Sequence, residues 1–95
     1  MAITAEYAGT GGERVRIVAD RLVAYYADGS SRSVGLGEIR AVESYEAGLL
    51  RRRYGVRVEF AHPPREWGAA FGDRRVRRAF LDDLQRRGVA TATAV

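Results

Sequence analysis

The chain has no cysteine and no lysine, and it has one histidine, His62. Without cysteine there are no disulfides, thiolate nucleophiles or sulfur ligands for a metal. A lone histidine gives no pair for a metal site and no base with an orienting partner, so we interpret His62 as a solvated loop residue. No stretch approaches the roughly 18 apolar residues of a membrane span, and the N-terminus lacks the features of a signal peptide. We therefore expect a cytoplasmic protein that has no cofactor and is not an enzyme.

All 16 basic residues are arginine, against 12 acidic residues, and the formal net charge is +4. Arginine in place of lysine, with abundant alanine, glycine and valine, is typical of a GC-rich genome, so the bias by itself does not indicate recognition. The positive charge still favours polyanionic partners such as nucleic acid or an acidic lipid surface. The 95 residues are enough for one domain with one core.

The segment 73–88 is predicted to be an amphipathic helix. Val76, Phe80 and Leu84 recur at every fourth position and form one apolar stripe. Asp73 is a favourable N-cap residue, and Gly88 suits the left-handed position that ends many helices. We expect this helix to close one end of a β-structure.

The charges of this helix give three further expectations. Arg74 and Arg75 place cations in the first turn, where the helix macrodipole is already positive and acidic residues are favoured. Unfavourable local choices of this kind are more frequent at functional positions. Arg77 falls beside the apolar stripe, so its stem should lie on apolar surface and its guanidinium should reach a partner at the rim. Asp83 and Arg87 are spaced as a favourable ion pair.

Seven short strands are predicted before the helix, with turn residues between them. Asp28-Gly29 is a turn, Gly35 and Gly37 mark a corner between sheets, and a bulge is expected near 43–45 because alternation breaks there. The tail 89–95 has no cap and is expected to fray. The predicted strands are 3–8, 14–19, 22–27, 31–36, 38–46, 54–60 and 66–71. The pattern predicts a single, mainly β domain: a seven-stranded antiparallel sandwich or partly open barrel capped by a C-terminal amphipathic helix.

A resemblance rests on the meander RVRIVADRLVAYYADGSSRSVGL, the corner and strand LGEIRAVES, the strands GVRVEF and WGAAF, and the helix RRVRRAFLDDLQRRG. Together these segments resemble the pleckstrin homology superfold, especially its small bacterial members. The resemblance implies two near-orthogonal antiparallel sheets whose open end is stopped by the helix. It also implies phosphoinositide binding through Arg14 and Arg16, which match the Arg-x-Arg half of the family's lipid signature. The signature lysine is absent, and Phe80 stands where many members carry a tryptophan.

The arginines are the candidate binding residues, because their forked guanidinium groups suit phosphate and carboxylate. An alternative is a solubilising surface that glutamates on neighbouring strands partly neutralise. Exposed tyrosines of the sheet could instead stack nucleobases. The ligand- or partner-binding candidates are Arg14, Arg16, Arg51, Arg52, Arg53, Arg74, Arg75 and Arg78.

The predicted function is a non-enzymatic protein-interaction module whose partners include copies of itself. A small β-structure offers strand edges to which a peptide or strand can add through main-chain hydrogen bonds. The alternative is binding of anionic lipid or nucleic acid through the arginines. Salt separates the two hypotheses, since polyanion binding weakens steeply as ionic strength rises.

Overall fold

The computed structural model describes residues 4–48, 50, 52–62 and 65–93. It confirms the predicted class, a mainly β structure with one C-terminal helix. In chain order the elements are β1 (Thr4–Ala8), β2 (Arg14–Val18), β3 (Arg21–Tyr25), β4 (Ser31–Gly35), β5 (Ile39–Ala47), β6 (Arg53–Phe60), β7 (Glu66–Phe71), α1 (Arg74–Arg86) and β8 (Ala92–Thr93). Within the described part of the chain, no helix has the length and apolar character needed to cross a membrane.

The strands form two sheets, the first in the order β1-β2-β3-β4 and the second in the order β7-β6-β5-β8. The predicted corner between them is a 3₁₀ turn over Leu36–Glu38, where the Glu38 carboxylate accepts a hydrogen bond from the Gly35 N–H at 2.7 Å. β1 to β7 pair antiparallel within each sheet. The two sheets are not closed into a barrel.

Strand alternation turns one face of each sheet toward a shared core. The helix completes this core, because Phe80 and Leu84 are fully buried, as their spacing predicted. The Phe80 ring lies 6.4 Å from the Trp67 ring and 6.1 Å from the Phe71 ring. The strands contribute Val15, Ile17, Leu22, Ala24, Val34, Val42, Val56, Val58, Phe60, Trp67, Ala69 and Phe71.

The helix ends follow the predicted capping residues. The Asp73 carboxylate accepts from the Arg75 N–H at 2.7 Å, and Gly88 has a φ of +88°. The helix itself spans Arg74–Arg86, inside the predicted 73–88, because the outer residues of that range serve as caps.

A polar contact ties the helix to the first sheet. Asp83, 6% exposed, accepts from the Tyr7 hydroxyl at 3.2 Å and from Arg87 Nε at 2.9 Å. Arg87 also donates to the Ala19 carbonyl. Burial raises the pKa of the Tyr7 phenol above its ordinary value of 10.0, and the charge and hydrogen bond of Asp83 raise this pKa further. The predicted Asp83–Arg87 pair is therefore confirmed, and it connects two layers of the fold.

The bulge prediction is wrong in position. The register shift lies between Ile39 and Ala41, and pairing with β6 is regular from Ala41 to Ala47. The Tyr45 ring packs over Gly55, its direct partner, in the space that a side chain at Gly55 would need. That packing keeps Tyr45 in register.

The prediction that the tail frays is wrong for Ala92–Thr93. These residues pair parallel with Glu43 and Ser44 of β5. The segment is held because Val89 packs against the core and the Gln85 side-chain amide donates to the Thr91 hydroxyl. The outer edge of β5 supplies the unpaired backbone groups that a short strand can use.

Candidate functional site

The eight candidate arginines fall on different elements of the fold. Arg14 and Arg16 lie on β2, the first sheet, and we call them the first-sheet arginines. Arg52 precedes β6, Arg53 begins it, and Arg74, Arg75 and Arg78 lie in the first two turns of α1. Arg51 lies outside the described residues.

The first-sheet arginines are engaged by their neighbours. Arg14 and Arg16 contact the two oxygens of the Glu6 carboxylate on β1, at 3.1 and 3.4 Å. The Arg14 guanidinium also lies 4.7 Å from the centre of the Tyr25 ring on β3. These contacts run across three adjacent strands, so both side chains are engaged within the sheet, with one carboxylate for two cations.

The second group of arginines converges on one carboxylate, Glu46, near the end of β5. Glu46 accepts from Arg52 Nη1 at 2.7 Å, and its other oxygen lies 3.6 Å from Arg77 Nη2 and 3.8 Å from Arg74 Nη2. We call Arg52, Arg74, Arg77 and Glu46 the helix-end cluster. The strand and helix arginines meet here for Arg52 and Arg74, and one carboxylate faces three cations.

Arg77 is the fixed member of the helix-end cluster. Its side chain is 13% exposed, and its Nη1 donates to the Tyr45 carbonyl at 3.0 Å. The guanidinium groups of Arg77 and Arg74 lie 5.3 and 5.5 Å from the centre of the Tyr54 ring. The predicted arrangement for Arg77, with a covered stem and a charged group that finds a partner at the rim, is confirmed.

The remaining candidate arginines face solvent. The Arg78 side chain is 81% exposed, and its Nε lies 4.0 Å from Asp82. Among the described residues, Arg53 and Arg75 have no ion pair. These cations are available to a ligand at little desolvation cost.

A groove of about 340 Å³ lies between the helix and the β5–β8 pair. The helix contributes cations at its N-terminal end, the half-buried Leu81 in the middle, and the polar Asp82 and Gln85 further along. Ser44 and Ala92 line the opposite side. The groove thus joins a cationic end to an apolar middle, and a strand edge forms its wall. The helix arginines that line it are Arg74, Arg77 and Arg78.

Within the described ranges, which end at residue 93, the outer edge of β5 is only partly covered. The strand has nine residues, of which two pair with β8. In the described part of the chain, no other backbone group bonds to this edge, and the Arg77 side chain is the further partner, at the Tyr45 carbonyl. Such an edge presents free main-chain donors and acceptors.

Metal-binding groups of three or more histidine and carboxylate side chains do not occur within the ranges that the structure describes. His62 is exposed, and its carbonyl accepts from Arg32 Nη2 at 3.4 Å. The lone histidine thus lies in a loop, as its proline neighbours predicted.

Two features of the site were not found from the sequence. Tyr54 reads as an ordinary strand residue, and the alternation of β-branched residues with alanine in the tail was not used to predict β8. Glu46 was expected among the glutamates that partly neutralise the arginines, but not as the shared partner of three of them. Comparisons of the chain with protein-family models, curated proteins and solved structures give no match. The use of the groove is therefore inferred from its own geometry.

Proposed function

We propose that the protein is a non-enzymatic protein-interaction module that binds an extended segment of its partner along the outer edge of β5. The observation that carries this proposal is the nine-residue strand, of which the protein's own β8 covers two residues. Main-chain hydrogen bonds to such an edge provide affinity for any strand, and neighbouring pockets select its side chains.

The groove supports the same proposal. A strand added beside β5 points alternate side chains to one face, and that face is the groove under α1. Leu81 provides an apolar contact in the middle, and Gln85 provides a polar contact. A second copy of the chain is one partner that can supply a strand, in agreement with the predicted self-association.

We also propose that the fold is of the pleckstrin homology type, a rolled and partly open arrangement of two sheets. The support is the order of elements: four antiparallel strands, a corner, three more strands and a closing helix. Phosphoinositide binding through Arg14 and Arg16 gains no support from the geometry, because Glu6 engages both side chains.

Polyanion binding is the second candidate function. It is favoured by the helix-end cluster, where three guanidinium groups share one carboxylate and leave a local excess of positive charge. Light scattering with acidic liposomes and single-stranded oligonucleotides at two salt concentrations tests it. Binding that disappears at the higher salt concentration supports the candidate.

The strand-edge proposal is tested with a fluorescein-labelled heptapeptide that alternates valine and serine. Ala92→Pro removes the N–H of a β8 residue and disfavours its pairing with β5, so the edge becomes free in the full chain. We expect this variant to bind the peptide several-fold more tightly than the natural chain, as measured by fluorescence anisotropy. The matched control is Ala90→Pro, at an exposed residue between α1 and β8. If neither the natural chain nor Ala92→Pro binds this or any other strand-forming peptide, the proposal is wrong.

A further inference from the structure

The positive charge of the chain is concentrated where α1 begins. Among the described residues, six arginines lie there on α1 and around the start of β6, against the three carboxylates of Glu46, Asp73 and Asp82. The cations at this end of the groove therefore exceed these carboxylates by three. The six are Arg52, Arg53, Arg74, Arg75, Arg77 and Arg78.

Glu46 shows which chemical group suits these arginines. Its carboxylate is within 2.7 Å of Arg52, but it lies 3.6 and 3.8 Å from Arg77 and Arg74. One carboxylate does not give three guanidinium groups short hydrogen bonds at the same time. Arg74, 64% exposed, and Arg78, 81% exposed, are free to turn toward a second one.

We infer that the partner segment is acidic, and that its aspartate or glutamate side chains bind Arg74 and Arg78 while its backbone pairs with β5. This inference rests on the proposed function and names the chemistry of the partner. Arg74 and Arg78 are four residues apart on the helix, which separates them by about 6 Å along its axis. Side chains on one face of a strand repeat every 6.6 Å or so, a distance close to this separation.

The groove favours an acidic peptide over a membrane or a nucleic acid. Glu46 and Asp82 lie among the arginines, and they repel a continuous row of phosphates. A peptide places its carboxylates at separate positions and has apolar side chains between them, which suit Leu81. A flat bilayer surface does not enter a recess between a helix and a strand edge.

The test compares three fluorescein-labelled heptapeptides in which valine alternates with glutamate, with serine or with lysine. With the full chain at low salt, we expect the glutamate peptide to bind about tenfold more tightly than the serine peptide, the combined effect of two exposed ion pairs. The lysine peptide should bind more weakly than both. Arg74→Ser/Arg78→Ser should bring the glutamate peptide to the affinity of the serine peptide. The matched control, Arg14→Ser/Arg16→Ser, should leave its affinity unchanged.

The outcomes separate this inference from the proposed function. Equal binding of the glutamate and serine peptides overturns the acidic partner and leaves the strand-edge proposal standing, whereas no binding of any peptide removes both. Loss of binding in the Arg14→Ser/Arg16→Ser control places the anion site on the first sheet and overturns the inference. In another outcome, the chain binds acidic liposomes or oligonucleotides more tightly than the glutamate peptide, and loses this binding in Arg74→Ser/Arg78→Ser. That result assigns the cluster to polyanions and overturns the inference. Circular dichroism checks that the variants are folded. If the double variant is unfolded, the test is repeated with the single substitution Arg78→Glu, at the most exposed of these side chains.

Discussion

The two groups of arginine differ in what surrounds them. Arg14 and Arg16 lie on a sheet face, share Glu6, and are accompanied by the Tyr25 ring. In the helix-end cluster three arginines share Glu46 beside a groove and an open strand edge. Two cations share one carboxylate on the continuous face of the first sheet, which is typical of a solvated surface. Three cations share one carboxylate beside a recess, and the local excess of positive charge there favours the binding of a further anion.

The largest effect is expected from Phe80→Ala, which removes packing of α1 against the core shared by the two sheets. Phe80 is fully buried between the Tyr7, Trp67 and Phe71 rings. Its truncation should lower the free energy of unfolding by about 3–5 kcal/mol, as measured by chemical denaturation. Val76→Ala, on the half-buried part of the same stripe, is the control and should cost less. A loss below about 1 kcal/mol for Phe80→Ala would contradict the packing described for α1.

A second prediction concerns Arg77, which joins the helix-end cluster to the sheet. Arg77→Ala removes the hydrogen bond to the Tyr45 carbonyl, the guanidinium that lies 5.3 Å from the centre of the Tyr54 ring, and the stem that carries it. Because the side chain is only 13% exposed, we expect a loss of about 1–2 kcal/mol in the free energy of unfolding. Arg77→Met restores the stem without the charge and should recover part of that loss. Equal stability of the alanine variant and the natural chain would show that Arg77 is an ordinary surface residue.

The pH dependence of stability tests the contact that joins the two regions. Burial, followed by the charge and hydrogen bond of Asp83, raises the pKa of Tyr7 in the folded chain above 10.0. The folded state therefore holds this proton more tightly than the unfolded state does. The resulting stability is fully present below pH 10 and declines as the pH rises above 10 toward the folded pKa. Burial also raises the pKa of Tyr26, so Tyr7→Phe should reduce this decline but not abolish it. Denaturation curves at pH 9, 10 and 11 measure the effect, and an unchanged decline in Tyr7→Phe would argue against the Tyr7–Asp83 contact.

The smallest effect is expected on the first sheet. Arg14→Ser/Arg16→Ser removes two exposed ion pairs with Glu6. Exposed pairs of this kind contribute little, so the free energy of unfolding should change by about 0.5 kcal/mol or less. Thermal denaturation of this variant is compared with that of Glu6→Gln, which removes the same two ion pairs by neutralising the carboxylate. A loss of several kcal/mol would mean that this pair supports the fold and is more than a solvated surface.

Much of the fold follows from local patterns. Phe80 and Leu84 were identified by helical spacing, and Val56 and Val58 by strict alternation, because burial of one face imposes a period on the sequence. Asp73 was identified as a cap because its side chain satisfies a backbone donor a few residues away. Each of these signals lies within a few residues of the structure that it predicts.

The misplaced and missing features depend on contacts between distant segments. β8 pairs over two residues, and the strand that it pairs with, β5, lies far from it in the sequence. Regular pairing at Tyr45 depends on Gly55 opposite it, which removed the expected bulge. The candidate arginines were identified by residue type. Glu46 is a shared partner of arginines from both segments because folding brings the end of β5 next to the start of α1.

The central claim is that the helix-end cluster and the β5 edge, not the first-sheet arginines, form the binding face. It is tested most directly by titrating the valine–glutamate heptapeptide into the ¹⁵N-labelled chain and following the amide resonances. The account predicts shifts at Tyr45, Glu46, Arg74, Arg78 and Ala92, with Glu6, Arg14 and Tyr25 unmoved. Shifts confined to Glu6, Arg14 and Tyr25 would contradict it.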